Sequence, residues 1–373
     1  MYSRILPILL ALTIAPAVAQ TIPPLVLRSF KRLRLLEATA KDSASASIGD
    51  LNGDGFLDIV LARGRHTNLY NQIHLNNNGT GNFTVSNLGD APDQTYSVAI
   101  GDMNHDGRLD IVVSNDMPEN KTVYRNEDGV RFSTMTQYGD PAWNTRYVTL
   151  VDLNKDGFTD IVVANRQMKS YVCWNNGTGA FPKCTSLATI SSTVIVAADF
   201  DGDGAIDLFV PHRDGSSSVV LWNDGKGGFA TSTKPFGTSA AYIRAAAGGD
   251  LNGDGRVDIV VGSVSGGIKY YLNNGKRTFS KPISLSTTKS AVYSILIADM
   301  NRDGKHDVVV GYELALGSVF YRTSSTNTFR EVRWNDGKGT VYGIAVGDLD
   351  GDGWPDIVAA RSDAPNALWF STP

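Results

Sequence analysis

Seven short segments hold most of the carboxylate chemistry of this 373-residue chain. Each reads Asp-x-Asn/Asp-x-Asp-Gly-x-x-Asp, beginning at Asp50, Asp102, Asp152, Asp199, Asp250, Asp299 and Asp348. Side chains at positions 1, 3, 5 and 9 of a tight turn can converge on one point. The carbonyl of position 7 adds a further oxygen, and glycine at position 6 permits the bend. The candidate ligand sets are Asp50, Asn52, Asp54, Phe56 and Asp58; Asp102, Asn104, Asp106, Arg108 and Asp110; Asp152, Asn154, Asp156, Phe158 and Asp160; Asp199, Asp201, Asp203, Ala205 and Asp207; Asp250, Asn252, Asp254, Arg256 and Asp258; Asp299, Asn301, Asp303, Lys305 and Asp307; and Asp348, Asp350, Asp352, Trp354 and Asp356. In every set the position-7 residue contributes its backbone carbonyl. Such all-oxygen sets suit Ca²⁺, up to seven ions, better than Mg²⁺, which demands strict octahedral geometry and retained water. One such segment could be an ion-free Asx turn. Seven with one spacing, each crowding three or four carboxylates, favour a bound cation.

The charge balance points the same way. The turns hold 23 of the 38 acidic residues, which leaves 15 against 34 Lys and Arg. Seven Ca²⁺ ions would move the formal charge from −4 to about +10, so the loaded chain favours acidic partners. No nucleophile elbow, catalytic glutamate pair, phosphate loop or zinc motif is present.

The turns recur at intervals of 52, 50, 47, 51, 49 and 49 residues, the period of propeller blades or solenoid units. In each repeat a short apolar strand enters the turn, a β-branched run leaves it, an alternating strand ends in an Asn/Gly turn, and a fourth strand opens near a Phe. That Phe recurs at Phe83, Phe132, Phe181, Phe229, Phe279 and Phe329. Phe30 keeps the same register with no blade before it, while only 17 residues follow Asp356. The N-terminal segment thus carries the strand that the last repeat lacks, and pairing the two removes both exposed sheet edges. The expected fold is all-β: a seven-bladed β-propeller with four-stranded blades, closed by an N-terminal strand completing the last blade.

Closure places the acidic turns on one face. The opposite face gathers the residues six before each turn: Ala44, Tyr96, Arg146, Thr193, Arg244, Tyr293 and Tyr342. Arg63, Arg65, Arg166, His212, Arg213 and Arg361 follow the second strands on that face, and Trp143 lies in a nearby connection. Guanidinium groups and phenols around a channel mouth could hold an anionic sugar or a peptide carboxylate.

The Gly-Asp-Leu-Asn-Gly-Asp-Gly-x-x-Asp-Ile-Val block, at Gly49 to Val60 and Gly249 to Val260, resembles the FG-GAP/VCBS repeats. That family includes the ligand-binding propeller of integrin α subunits. The resemblance spans residues 28–373 and implies seven blades with calcium in the first inter-strand loop of each. It does not fix a function, because fold and activity are separable.

Residues 1–19 read as a secretory signal peptide, with Arg4 before an apolar run from Ile5 to Ala15 and a small-x-small site at Ala17-Val18-Ala19. The mature chain, 20–373, is expected outside the cell, or in the periplasm of a bacterium, with no membrane span. Cys173 and Cys184 flank a turn and read as a disulfide across one hairpin, or as two small buried thiols. Asn78, Asn82, Asn120 and Asn176 head Asn-x-Thr sequons that matter only in a glycosylating host. The expected function is a secreted, monomeric, calcium-dependent binding or adhesion module for a glycan or an extracellular protein, with no nucleic-acid partner. The alternatives are an extracellular lyase acting on acidic polysaccharide at the mouth and a structural calcium-binding surface protein.

Overall fold

The computed structural model describes residues 26–231, 236, 242–323 and 328–373; the expected leader at 1–19 lies outside them. Seven four-stranded antiparallel sheets form the blades. The first comprises Ser43–Gly49, Asp58–Arg63, Leu69–Asn76 and Phe83–Asp93. The innermost strands of the others are Thr95–Gly101, Thr145–Val151, Val196–Ala198, Ile243–Gly249, Val292–Ala298 and Thr340–Gly347. Each acidic turn joins a first strand to a second. The pairing runs up to it, as in Gly49 opposite Asp58 and Gly101 opposite Asp110. Among the described residues no helix is long and apolar enough to cross a membrane.

Second strands such as Asp58–Arg63, Asp110–Asn115, Asp160–Asn165 and Asp307–Tyr312 are buried end to end because each is sandwiched between neighbouring blades. Alternation divides their side chains between two cores. Ile59 and Leu61 enter the cluster shared with the last blade, and Val60 and Ala62 enter the one shared with the second. Seven such clusters occur, one per blade interface. Each fully buried Val, Ile or Leu contributes roughly 1.5–3 kcal/mol. The inner strands approach closely enough that a Cβ on Gly343 would lie 2.7 Å from Ser45 Cα.

The ring closes through Ser29–Leu35, which runs antiparallel to Ala367–Thr372 with Leu33 opposite Trp369. Phe30 packs with Trp334 and Trp369, and Arg28 Nε donates to Ser371 Oγ at 2.9 Å. Removing residues up to Leu36 uncovers these indoles and exposes a strand edge. The truncated chain is expected to aggregate and lose its cooperative melt by circular dichroism. An unchanged midpoint would show that the strand does not close the ring.

The Phe rule holds at Phe83, Phe132, Phe229 and Phe329, which open fourth strands. It shifts in two blades. Phe181 precedes Lys183–Ile190 by two residues. Phe279 belongs to a small hairpin, Asn273–Gly275 with Thr278–Phe279, and the fourth strand follows at Ile283–Ser286. Pro282, without an N–H, separates the two. Cys173 and Cys184 face each other across the third and fourth strands of their blade and are disulfide-bonded.

Candidate functional site

Turn conformation is set by backbone and carboxylate together. The position-6 glycines have φ between 77° and 89° in all seven turns. At Gly55, Gly107, Gly157, Gly255 and Gly304 a Cβ would meet nothing within 4 Å, so the dihedral, not space, requires glycine. The same amides, from Gly55 to Gly353, donate to the position-1 carboxylate at 2.8–2.9 Å. In the turns beginning at Asp199 and Asp348, three carboxylates bring oxygens within 4.8 Å of one another: Asp199, Asp201 and Asp207, and Asp348, Asp350 and Asp352. The other turns carry Asn at position 3, so an amide oxygen stands in that place.

The position-9 aspartates have a second task that the motif alone does not reveal. Asp58, Asp110, Asp160, Asp207, Asp258, Asp307 and Asp356 are fully buried. One oxygen of each accepts from the position-2 amide of its own turn, and the other from an amide at the end of the third strand, at 2.7–3.1 Å. Burial and then the neighbouring turn carboxylates push these carboxyls up, to about 6 at Asp160, Asp207 and Asp258 and about 7 at Asp307 and Asp356. A divalent cation beside them would favour the ionised form.

That third-strand residue is Asn76, Asn126, Asn175, Asn223 or Asn273 in five blades. Its Nδ2 donates to the position-2 carbonyl of the preceding blade's turn, on Leu349, Leu51, Met103, Leu153 and Phe200 respectively, at 2.7–2.9 Å. These bonds tie five of the seven blades to the turn of the blade before them. These asparagines recur before each Asn/Gly turn in the sequence, where they read only as turn formers.

Basic side chains reach some turns and not others. Arg108, Arg256 and Lys305, at position 7, fold back onto the position-5 carboxylates Asp106, Asp254 and Asp303. Arg277 pairs with Asp201 at 2.6 Å, and Arg32 with Asp350. Among the described residues, no ion pair reaches the turns beginning at Asp50 and Asp152.

On the opposite face, Ala44, Tyr96, Arg146, Thr193, Arg244, Tyr293 and Tyr342 line one cavity of about 90 Å³. Thr193 precedes its inner strand, Val196–Ala198, rather than starting it. Tyr147, 39% exposed, lines both this mouth and the apolar channel of about 500 Å³ beneath it. Arg146 stacks 4.0 Å over Tyr96 and pairs with Asp116 at 2.8 Å. Arg166 and Arg213 share Asp214 at 3.6 and 3.9 Å. Arg244 lies 4.7 Å from the Tyr293 ring and 5.2 Å from Tyr342; burial lowers it to about 10, so it stays cationic at neutral pH. Among the described residues the buried Nε atoms of Arg65, Arg166, Arg213 and Arg244 meet no hydrogen-bond acceptor.

Four expected mouth residues sit elsewhere. Arg63 is buried against Glu37 at 3.2 Å, and Arg361 against Asp336 at 2.7 Å, so both tie connections together. His212 is buried in its blade, which lowers its pKa. Trp143 stacks on Tyr171 at 4.1 Å inside a core. Sequence reading passed over His66, whose Nδ1 lies 3.3 Å from the Tyr96 hydroxyl.

A closed ring of four-stranded sheets with one acidic turn per blade defines a repeat-built β-propeller. The chain belongs to the FG-GAP family: residues 50–113, 109–163, 152–210, 199–261 and 250–310 match FG-GAP-like repeats, and 340–368 match the FG-GAP repeat. No curated protein matches the chain. Among solved structures the fold is similar to BBS1N in complex with ARL6DN, in crystals soaked with lead and with mercury. Both superpose with a TM-score of 0.63 over 92% of this chain and 96% of the other, at 12% and 13% identity.

Proposed function

We propose that the chain is an exported, calcium-dependent binding module that holds a glycan or an extracellular protein at the arginine- and tyrosine-lined mouth. The observation carrying this reading is the mouth itself: residues from several blades line it, the buried Nε of Arg244 among them has no acceptor, and neither has that of Arg65, which lies over the Tyr342 ring of the same mouth. Buried donors without acceptors are costly unless a ligand supplies them. The complex of BBS1N with ARL6DN agrees with a binding role for such a propeller.

The donor chemistry of the turns fits calcium, since carboxylate and amide oxygens and the position-7 carbonyl are hard ligands held in a tight loop. Calcium would fix the turns, and through the Asn latches the spacing of the blades that carry the mouth. Elimination on a uronate is less well supported. His212 lies inside its blade, and burial raises the Tyr96 and Tyr342 phenols, which makes neither a base at neutral pH.

An array of glycans and extracellular matrix proteins, probed with and without EDTA, tests the reading. The expected result is a ligand retained in calcium, lost on chelation and regained on adding calcium back. Binding that ignores EDTA would contradict it.

A further inference from the structure

The aromatic faces at the mouth are already covered. Arg65 sits 4.0 Å over the Tyr342 ring, Arg244 near Tyr293 and Tyr342, and Arg146 over Tyr96. Sugar rings bind tyrosine by lying on its face, and these faces carry guanidinium groups instead. What the stacks present outward are oriented N–H donors, which suit an anion.

The cations are unequally compensated. Asp116 satisfies Arg146, and Asp214 serves Arg166 and Arg213. Among the described residues neither Arg65 nor Arg244 has a carboxylate within 4.0 Å, and the Nε of each is buried without an acceptor. Arg65 otherwise contacts His66 Nε2 at 2.8 Å. A buried cation, Arg244, and a part-buried one, Arg65, flanking one phenol are unfavourable until an anion joins them. The cavity, about 90 Å³ and lined by Tyr147 among others, has room for one small charged group.

Around this centre, connections on the same face expose apolar side chains: Met117 at 54%, Tyr242 at 45%, Leu314 at 67% and Leu316 at 43%. Apolar shelves beside a charged socket fit protein side chains better than a hydroxyl-covered glycan. We propose that Arg65 and Arg244 form a receptor for one acidic side chain of a protein partner, whose apolar neighbours pack on the Met117 and Leu314–Leu316 shelves. This rests on the calcium-dependent binding module proposed above and names its ligand class.

The probe is a fluorescein-labelled peptide of alternating Glu and Leu, amidated at its C-terminus, titrated by anisotropy into the calcium-loaded full chain. Polygalacturonate and heparin are the competing arms. Arg244→Gln and Arg65→Gln are compared with Arg131→Gln, an equal charge change in an exposed turn of the calcium face. Losing one partner of a desolvated charge pair costs about 2–5 kcal/mol, so affinity is expected to fall about 30-fold or more in either mouth variant. Arg131→Gln should bind as the parent does. Should one mouth variant not fold by its melt, the other carries the comparison.

Equal weakening in all three variants, retention in both mouth variants, or binding of only polygalacturonate or heparin would overturn the assignment. Calcium-dependent capture on the array with no peptide binding would overturn it while leaving the module standing. Silence in both would overturn both.

Discussion

Excess EDTA is expected to lower the melting temperature by on the order of 10–20 °C, and added calcium to restore it. An ion held only by the folded state at a hundred times its Kd stabilises by about 2.7 kcal/mol. In a chain this long, one kcal/mol moves the midpoint by roughly 1–2 °C, so several ions are needed for that shift. The geometry explains why loss would spread. In five turns the position-2 carbonyl accepts the neighbouring blade's Asn, as Leu51 does from Asn126 and Met103 from Asn175. A turn that opens on losing its ion therefore loosens the next blade. Differential scanning calorimetry in calcium and in EDTA gives the answer directly; coincident curves would mean that the turns do not depend on metal.

The second large effect separates two roles within one turn. Asp207→Ala leaves the amides of Phe200 and Asn223 buried and unpaired, at a cost of about 3–5 kcal/mol, and this loss should persist in EDTA. Asp203→Asn retains an oxygen for the Ala205 amide and removes only the charge of a half-exposed side chain. In EDTA it should melt within about 0.5 kcal/mol of the parent. In calcium it should weaken ion binding on the order of tenfold, because ligand charge tunes affinity. Urea titration of both variants in both buffers is the check. If Asp207→Ala matched the parent in EDTA, the position-9 carboxylate would be a ligand alone and not a structural tie.

Much of this architecture is legible before any coordinates. The turns announce themselves because converging oxygens need fixed spacing and the bend needs glycine. Ring closure is legible because Phe30 keeps a register that the chain's end leaves unfilled. The mouth is legible in part, since six residues before each turn is the same place on every blade. What stays hidden depends on contacts between distant segments. Arg63 looks like Arg65 in sequence, yet it meets Glu37 in the segment between the closing strand and the first blade. Arg361 meets Asp336 from the preceding connection. Neither partner is marked by spacing. The pair of hydrogen bonds accepted by each position-9 Asp is hidden for the same reason: one of the donors lies at the far end of the third strand.

The turns should also differ in strength. Among the described residues, those starting at Asp50 and Asp152 meet no internal cation, whereas Arg108, Arg256 and Lys305 compete for an acidic oxygen in theirs. The most direct measurement is the calcium content of the purified chain, by plasma emission after gel filtration in calcium and exhaustive washing in metal-free buffer. Between two and seven ions per chain are expected, with the Asp50 and Asp152 turns last to empty. A preparation that folds, melts cooperatively and retains no calcium would contradict the reading of the acidic turns.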